Sequence, residues 1–204
     1  VFCAAYREDQ WAQLLEVADH IVFNSVNQLR RFGRRASDAG KSVGLRINPE
    51  CSTQEGHAIY DPCAPGSRLG VTRAQWNSEM TDELLELLDG LHFHTLCEQD
   101  SDALELTLSA VEEKFSDVLP RLKWLNMGGG HHITREGYDI ARLERCIQRA
   151  RGYGLTVYLE PGEAVALNAG YLVTTVLDVT KNGDVTNVIL DVSAACHIPD
   201  VLEM

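Results

Sequence analysis

Short apolar runs alternate with segments of helical periodicity as far as residue 160, and this alternation leaves few folds open. Six runs predict strands, at residues 1–5, 20–24, 43–48, 91–95, 123–127 and 155–160. Between them, apolar residues recur every three or four positions, as at Leu104, Leu108, Val111 and Phe115. Strands that alternate with helices favour a parallel sheet with crossover helices, and near-continuous hydrophobicity fits strands covered on both faces.

Two parallel α/β architectures remain open at this point. One is a (β/α)8 TIM-type barrel with about six β/α units present, in which case the missing units are expected upstream of Val1. The other is an open, doubly wound sheet of six strands. After Glu160 the pattern changes, because residues 171–180 and 185–191 predict strands joined by a hairpin turn, Lys181-Asn182-Gly183-Asp184. We therefore expect a β/α domain over residues 1–165 and the start of a β domain over residues 166–204.

The net charge and the cysteine content limit which classes of ligand and which cellular compartment we expect for this protein. The formal net charge of −12 argues against a nucleic-acid partner and suits a cationic ligand, although a solvated acidic surface is the simpler explanation. Six cysteines without a C-x-x-C pair predict no zinc knuckle or redox motif and favour a reduced, cytoplasmic protein. No apolar run reaches the roughly 20 residues of a membrane span, so no membrane partner is expected.

A run of three glycines, Gly128, Gly129 and Gly130, directly follows a predicted strand. Glycine lets the backbone turn tightly and bring N–H groups close to an anion, so the run is a candidate phosphate-binding loop. The simpler alternative is a loop that only needs positive φ angles.

Two histidines, His92 and His94, alternate along one predicted strand and therefore share a face. In a barrel that face is the interior, and His94 lies nearer the carboxyl-terminal mouth, where active sites occur. The pair is a candidate metal site together with His131 or His132. Alternatively, one ring stacks on a flat cofactor, or both are hydrogen-bonded core histidines, which is the favoured interpretation for His92.

The segment Glu160-Pro161-Gly162-Glu163 ends the last predicted parallel strand. A carboxylate at this position could stabilise a protonated ring nitrogen, which makes a pyridine ring a better electron acceptor. A surface carboxylate at a strand end is the simpler alternative.

Together, these segments resemble the alanine-racemase-like pyridoxal-phosphate (PLP) decarboxylases, which include ornithine and diaminopimelate decarboxylases. The segments Arg46-Ile47-Asn48-Pro49 and Ser67-Arg68-Leu69-Gly70-Val71 extend the resemblance. It implies a TIM-type barrel that binds PLP and is followed by a β domain, in a homodimer that shares its active sites across the interface. It also implies that His94 stacks on the pyridine ring, that the cofactor phosphate lies at Gly128, Gly129 and Gly130, and that Glu160 pairs with the pyridine nitrogen.

The resemblance further implies a lysine that forms a Schiff base with PLP. Of the four lysines of this chain, Lys41 precedes a predicted strand, Lys114 is in a predicted helix, Lys123 starts a strand and Lys181 is in the hairpin turn. We therefore expect the Schiff-base lysine upstream of Val1, and we expect this chain alone to be inactive.

Three details are similar to the carboxynorspermidine decarboxylases within that group. Glu163 replaces the arginine that usually follows Glu-Pro-Gly, and residues 95–98 and 191–203 also depart from the ornithine and diaminopimelate enzymes. The implied reaction converts carboxynorspermidine or carboxyspermidine to norspermidine or spermidine. Glu163 and Asp200 are then expected to bind the amines of this polycation. Alternatives are decarboxylation of diaminopimelate or another basic amino acid, a metal-dependent barrel hydrolase that uses the histidines, and a non-enzymatic PLP carrier.

Overall fold

The computed structural model describes residues 1–54 and 61–202, and the chain divides into two compact units, Val1–Ala166 and Leu167–Met204. The first unit is built on five strands: β1 (His20–Phe23), β2 (Ser42–Arg46), β3 (Gly90–His92), β4 (Trp124–Asn126) and β5 (Thr156–Tyr158). Its helices are α1 (Trp11–Val17), α2 (Val26–Asp38), α3 (Arg73–Glu79), α4 (Asp82–Leu85), α5 (Ser101–Phe115), α6 (Ile140–Arg151) and α7 (Gly162–Ala166). None of the helices in the described ranges is long and apolar enough to cross a membrane.

The strands follow one another across the sheet in the same order as along the chain, and every neighbouring pair is parallel. Each crossover therefore moves one position in the same direction, as in a (β/α) barrel. A doubly wound sheet instead reverses direction at a switch point, so that alternative is wrong for the described strands. The predicted barrel architecture is confirmed, with five of its strands present in this chain.

The first predicted strand, residues 1–5, is reduced to one bridge between Phe2 and Val22. Ala4 and Ala5 lie in an exposed bend, so their apolar character does not hold them in the sheet. The sequence therefore predicts six parallel strands where the described sheet has five. Each of the five also ends one to three residues before its predicted end, and the residues left over form the loops at the strand ends.

Local capping decides where the helices begin. The Ser25 side chain accepts a hydrogen bond from the Gln28 backbone at the start of α2, and Thr72 and Gln75 form a reciprocal capping box at the start of α3. Thr81 caps α4 in the same way, accepting from the backbone of Leu84. Because Thr81 is extended, residues 76–88 do not form one helix despite their helical periodicity, and α3 and α4 are separate short helices.

The two faces of the sheet have different partners. Leu45, Leu91 and Leu125 occupy one row across β2, β3 and β4 and are fully buried in the core, together with apolar residues of α2 and α5. The adjacent residues along each strand point to the other face, because side chains alternate with period two. That second face is the interior face of the barrel.

Trp124 shapes the interior face by lying across two neighbouring strands. Gly44, Gly90 and Trp124 are in register, and the Trp124 indole nitrogen donates a hydrogen bond to the Ser42 hydroxyl at 2.9 Å. A β-carbon on Gly90 would stand 2.0 Å from the indole ring, and one on Gly44 would stand 2.4 Å from it. The two glycines therefore make the space that the ring occupies.

The second unit contains an antiparallel hairpin of β6 (Val176–Asn182) and β7 (Val185–Leu190), followed by α8 (Ala194–His197) and the 3-10 helix Pro199–Leu202. The turn residues are Gly183 and Asp184, and Gly183 has a φ of 59°, a positive value that favours glycine. The predicted hairpin is confirmed, although its first strand begins at Val176 rather than at residue 171. Its assignment to the start of a C-terminal domain stays a prediction.

The Trp124 row generates a stability prediction. Gly90→Ala places a methyl group inside the indole ring's position, so we expect the free energy of unfolding to fall by about 1–3 kcal/mol, the usual cost of overpacking. Gly170→Ala is the matched control, because nothing lies within 4 Å of its added β-carbon. Urea unfolding of the full-length protein measures both. Equal stability of the Gly90→Ala variant and the wild type would contradict this account of the row.

Candidate active site

The candidate site lies at the carboxyl ends of β2 to β5, where the parallel register aligns residues far apart in sequence. Arg46 pairs with His92, and His92 pairs with Asn126, so their side chains share a row on the interior face. Hydrogen bonds between the strand ends continue this alignment for two more residues. They bring up a second row, which consists of His94, Gly128 and Glu160: the Glu160 N–H donates to the Gly128 carbonyl, and Gly128 lies against the backbone of His94.

Glu160 is the acidic centre of this arrangement. Its Oε1 accepts a hydrogen bond from the Asn126 amide at 2.8 Å, and its Oε2 lies 3.6 Å from His92 Nε2 and 3.9 Å from His94 Nδ1. His92 and then His94 hold the pKa of Glu160 well below its usual range, with a smaller contribution from Asn126. The carboxylate is therefore ionised at neutral pH, while about half of its side chain stays exposed.

His92 is 1% exposed, and neither of its ring nitrogens has a hydrogen-bond partner among the described residues. The favoured sequence interpretation, a hydrogen-bonded core histidine, is thus half wrong: the ring is buried but not satisfied. Burial lowers the pKa of His92 and opposes a positive charge there. Its nearest polar neighbour is Glu160, which therefore faces a neutral imidazole.

His94 is half-exposed at the same edge and is positioned by its neighbours. Arg46 donates to the His94 carbonyl at 2.9 Å, and the Gly129 N–H approaches His94 Nδ1 at 3.4 Å. Burial lowers the pKa of Arg46 to about 10, so its guanidinium keeps its charge at neutral pH.

The glycine loop packs tightly against the chain itself. A β-carbon on Gly128 would stand 2.5 Å from the Phe93 carbonyl oxygen, and one on Gly130 would stand 2.1 Å from that of Leu96. Both residues have positive φ angles, 68° and 78°. Both explanations of the glycines, tight packing and an anion cradle, therefore remain compatible with the structure.

The N–H groups of the loop divide into two sets. That of Gly128 donates to Asn126 Oδ1 at 2.9 Å. Those of Gly130 and His131 have no acceptor within the described part of the protein. The second half of the loop thus keeps donors for an anion, as a phosphate cradle requires.

The four histidines of the predicted metal site do not come together. His92 and His94 group with Glu160, each offering one ligand atom within 4.8 Å of the others. His131 is buried away from them, and its Nε2 lies 3.0 Å from the Gly128 carbonyl oxygen, so it fastens the glycine loop. His132 belongs to a second group with Glu98 and Glu163. The four-histidine arrangement is therefore wrong, because the glycine loop directs its two histidines elsewhere.

An open pocket of about 830 Å³ runs along this edge of the first unit. Its polar lining includes Arg46, Arg68 and His94, together with three acidic residues, Asp61, Glu98 and Glu163. Its apolar walls come from Pro62, Ala64, Pro65, Leu69 and Leu96. Such a lining accommodates a long molecule with both methylene and charged groups.

The two predicted amine-binding residues lie in different units. Glu163 is in α7, where its Oε2 is 3.2 Å from His132 Nε2. Asp200 is in the 3-10 helix Pro199–Leu202 of the second unit, and its side chain lies outside the described part of the structure. Lys41 and Lys123 directly precede strands of the sheet, and Lys181 is in β6 of the second unit. Lys114 of α5 reaches the loop after β2, where its Nζ donates to the Pro49 carbonyl and pairs with Glu50.

Asn126 is the residue that sequence reasoning missed. It bonds Glu160 through its amide nitrogen and the glycine loop through its amide oxygen. The signal available in the sequence was a polar residue inside the predicted apolar strand 123–127, two positions before the glycine run.

Comparisons with known proteins agree with this geometry. A carboxynorspermidine/carboxyspermidine decarboxylase of Campylobacter jejuni is 41% identical to the chain over 204 residues, covering all of this chain and 51% of the relative. A carboxyaminopropylagmatine decarboxylase of Synechocystis sp. is 39% identical over 206 residues, covering all of this chain and 52% of the relative. Diaminopimelate decarboxylases match at only 29% and 30% identity. No family model matches.

One solved structure supports the same relationship. The crystal structure of the Campylobacter jejuni carboxynorspermidine decarboxylase complexed with norspermidine has a TM-score of 0.84 at 40% identity. The match covers 100% of this chain and 51% of that one. The chain thus spans about half the length of the proteins that it matches.

The low pKa of Glu160 generates a prediction on stability against pH. A carboxylate whose pKa falls on folding stabilises the folded state above the unfolded pKa, here 4.5, and this contribution is lost as the pH falls below it. We expect Glu160→Gln to reduce the free energy of unfolding at pH 7, and the difference from wild type to shrink as the pH falls from 4.5 toward the much lower folded-state pKa of Glu160. Urea unfolding across that range measures it, with the exposed Glu113→Gln as control. A difference that is constant with pH would contradict the assignment.

Proposed function

The chain is similar over its whole length to a carboxynorspermidine/carboxyspermidine decarboxylase and to a carboxyaminopropylagmatine decarboxylase, and from that premise we propose that the full-length protein is a PLP-dependent decarboxylase of polyamine biosynthesis. Its substrate is carboxynorspermidine or carboxyspermidine, and its product is norspermidine or spermidine. The observation that carries the proposal is the ionised carboxylate of Glu160, held in one row with His94 and the glycine loop.

The residues at the strand ends fit PLP. The N–H groups of Gly130 and His131 are free, among the described residues, to hold its phosphate, and His94 can lie against its ring. Glu160 would accept a hydrogen bond from the pyridine nitrogen and hold the proton there. Bound PLP supplies the electron acceptor that loss of carbon dioxide requires.

Each residue then has a defined task. Asn126 keeps Glu160 aimed by donating to Oε1, so that Oε2 remains for the ring nitrogen. His92 lies 3.6 Å from the same Oε2, and because burial lowers the pKa of His92, it does not compete there as a cation. Glu163 lies beside the pocket and is proposed to accept hydrogen bonds from a substrate amine, as is Asp200.

Parts of the proposal concern the protein beyond these residues. The Schiff-base lysine is proposed to lie outside this chain, since the four lysines within it lie elsewhere in the fold. The division into a PLP-binding domain over residues 1–165 and a β domain from residue 166, the homodimer with shared active sites and the cytoplasmic location also stay predictions.

Two alternatives differ in what they require. A different carboxylated substrate, such as carboxyaminopropylagmatine or diaminopimelate, would keep the same cofactor site and change only the contacts along the pocket. A metal-dependent hydrolase would use His92, His94 and Glu160 as ligands, because their donor atoms lie close enough together.

The direct test is carbon dioxide release by the full-length protein with PLP. We expect release from carboxynorspermidine or carboxyspermidine in preference to diaminopimelate, ornithine and arginine, and a kcat about 10²-fold lower in Glu160→Gln, since an electrostatic partner of the reacting system is removed. Release only from an amino acid would overturn the substrate. No release, combined with stoichiometric zinc by metal analysis, would overturn the reaction.

The same assay tests the amine-binding residues. Glu163→Ala and Asp200→Ala should each raise KM for carboxynorspermidine with a smaller effect on kcat, because they are proposed to bind the substrate away from its reacting carbon. An unchanged KM in both variants would refute their assignment. Glu113→Ala, an exposed site on α5, serves as control.

A further inference from the structure

A second carboxylate–imidazole cluster lies outside the Glu160 row, and the sequence did not indicate it. It consists of Glu98, in the loop after β3, His132, at the end of the glycine loop, and Glu163, in α7. One ligand atom of each lies within 4.8 Å of the others, and His132 Nε2 is 3.2 Å from Glu163 Oε2. Three separate elements therefore converge on one point.

His132 is the unsatisfied member of this cluster. The residue is 9% exposed, and neither ring nitrogen makes a hydrogen bond to a described residue. Its contact with Glu163 is close enough for an ion pair but is not aligned as a hydrogen bond. A buried imidazole without partners is costly, so this site has capacity for a ligand.

The charge of the cluster calls for a cation. Glu98 and Glu163 are both exposed carboxylates, and their proximity is unfavourable unless a positive charge lies between them. Their field is felt nearby, because desolvation and then the charges of Glu98 and Glu163 raise the pKa of the Cys97 thiol. The ligand of this cluster is therefore cationic.

The surroundings favour an organic cation over a metal ion. Glu98 and Glu163 line the pocket whose walls include Pro62, Pro65 and Leu69. Apolar walls next to carboxylates suit methylene chains that end in ammonium groups, whereas a metal ion makes no use of them. Two carboxylates and one imidazole lone pair also match the N–H donors of an alkylammonium.

We propose that Glu98, His132 and Glu163 form an alkylammonium-binding site at the edge of the pocket, which holds an amine of a polyamine substrate remote from its carboxylate. This inference rests on the proposed function and extends it by two residues, Glu98 and His132. The two carboxylates supply the charge, and the imidazole of His132 adds a third polar group at the point where they converge.

The test is calorimetric titration of norspermidine into the full-length protein carrying PLP, so that binding is measured apart from turnover. We expect Glu98→Gln and Glu163→Gln each to raise the Kd about tenfold or more, the effect of losing one charge-assisted hydrogen bond. His132→Gln should also weaken binding, since the orientation of its amide differs from that of the imidazole. The control variant is Glu113→Gln, which should leave the Kd unchanged.

A shorter probe separates this site from the rest of the pocket. The diamine 1,3-diaminopropane lacks the third amine, so the same variants should change its Kd by less than they change that of norspermidine. Glu-to-Gln variants with unchanged norspermidine Kd, in a protein that releases carbon dioxide from carboxynorspermidine, would overturn this inference and leave the proposed function standing. Weakened norspermidine binding in these variants, in a protein that has no decarboxylase activity, would overturn the proposed function and leave the ammonium site standing.

Zinc titration tests the alternative that the Glu98–His132–Glu163 cluster binds a metal ion. When zinc is titrated alone, we expect no zinc binding that is lost on replacement of Glu98. Zinc binding that disappears in Glu98→Gln, with norspermidine binding unchanged, would overturn the ammonium assignment.

Discussion

The parallel register of β2 to β5 determines where every residue of the candidate site lies. Because Arg46, His92 and Asn126 are paired across three strands, His94, Gly128 and Glu160 meet two residues later. A shift of one residue in any strand would turn its row to the opposite face, where the leucines of the core lie. The row of Gly44, Gly90 and Trp124 below the site favours this register, since only two glycines side by side leave space for the indole ring.

Two groups of carboxylates with different electrostatic surroundings lie near the carboxyl ends of the strands. Around Glu160, the imidazoles of His92 and His94 and the amide of Asn126 lower the pKa of one carboxylate, which suits a single fixed partner such as a ring nitrogen. The exposed carboxylates of Glu98 and Glu163 lie next to the imidazole of His132, which has no hydrogen-bond partner among the described residues. This arrangement suits a cation that binds reversibly. The glycine loop connects the two, because it lies between His94 on one side and His132 on the other.

Sequence reasoning recovered what periodicity and short motifs encode. The strand and helix alternation predicted the parallel sheet, and the turn around Gly183 predicted the hairpin. It failed where tertiary pairing decides: residues 1–5 are apolar enough for a strand, but they join the described sheet through a single bridge, Phe2 to Val22, and through hydrogen bonds of Val1. The cluster of Glu98, His132 and Glu163 was also out of reach, because it depends on how three loops fold over one another. Likewise, only the register reveals that Asn126 joins Glu160 to the glycine loop.

The central claim is that Glu160 holds a proton on the ring nitrogen of a bound PLP. The ¹⁵N chemical shift of PLP labelled at that nitrogen, bound to the full-length protein, measures the claim directly. The account predicts a protonated nitrogen in the wild type near neutral pH and an unprotonated one in Glu160→Gln, where the carboxylate is replaced by a neutral amide. An unprotonated nitrogen in the wild type, or the same protonated signal in both proteins, would contradict it.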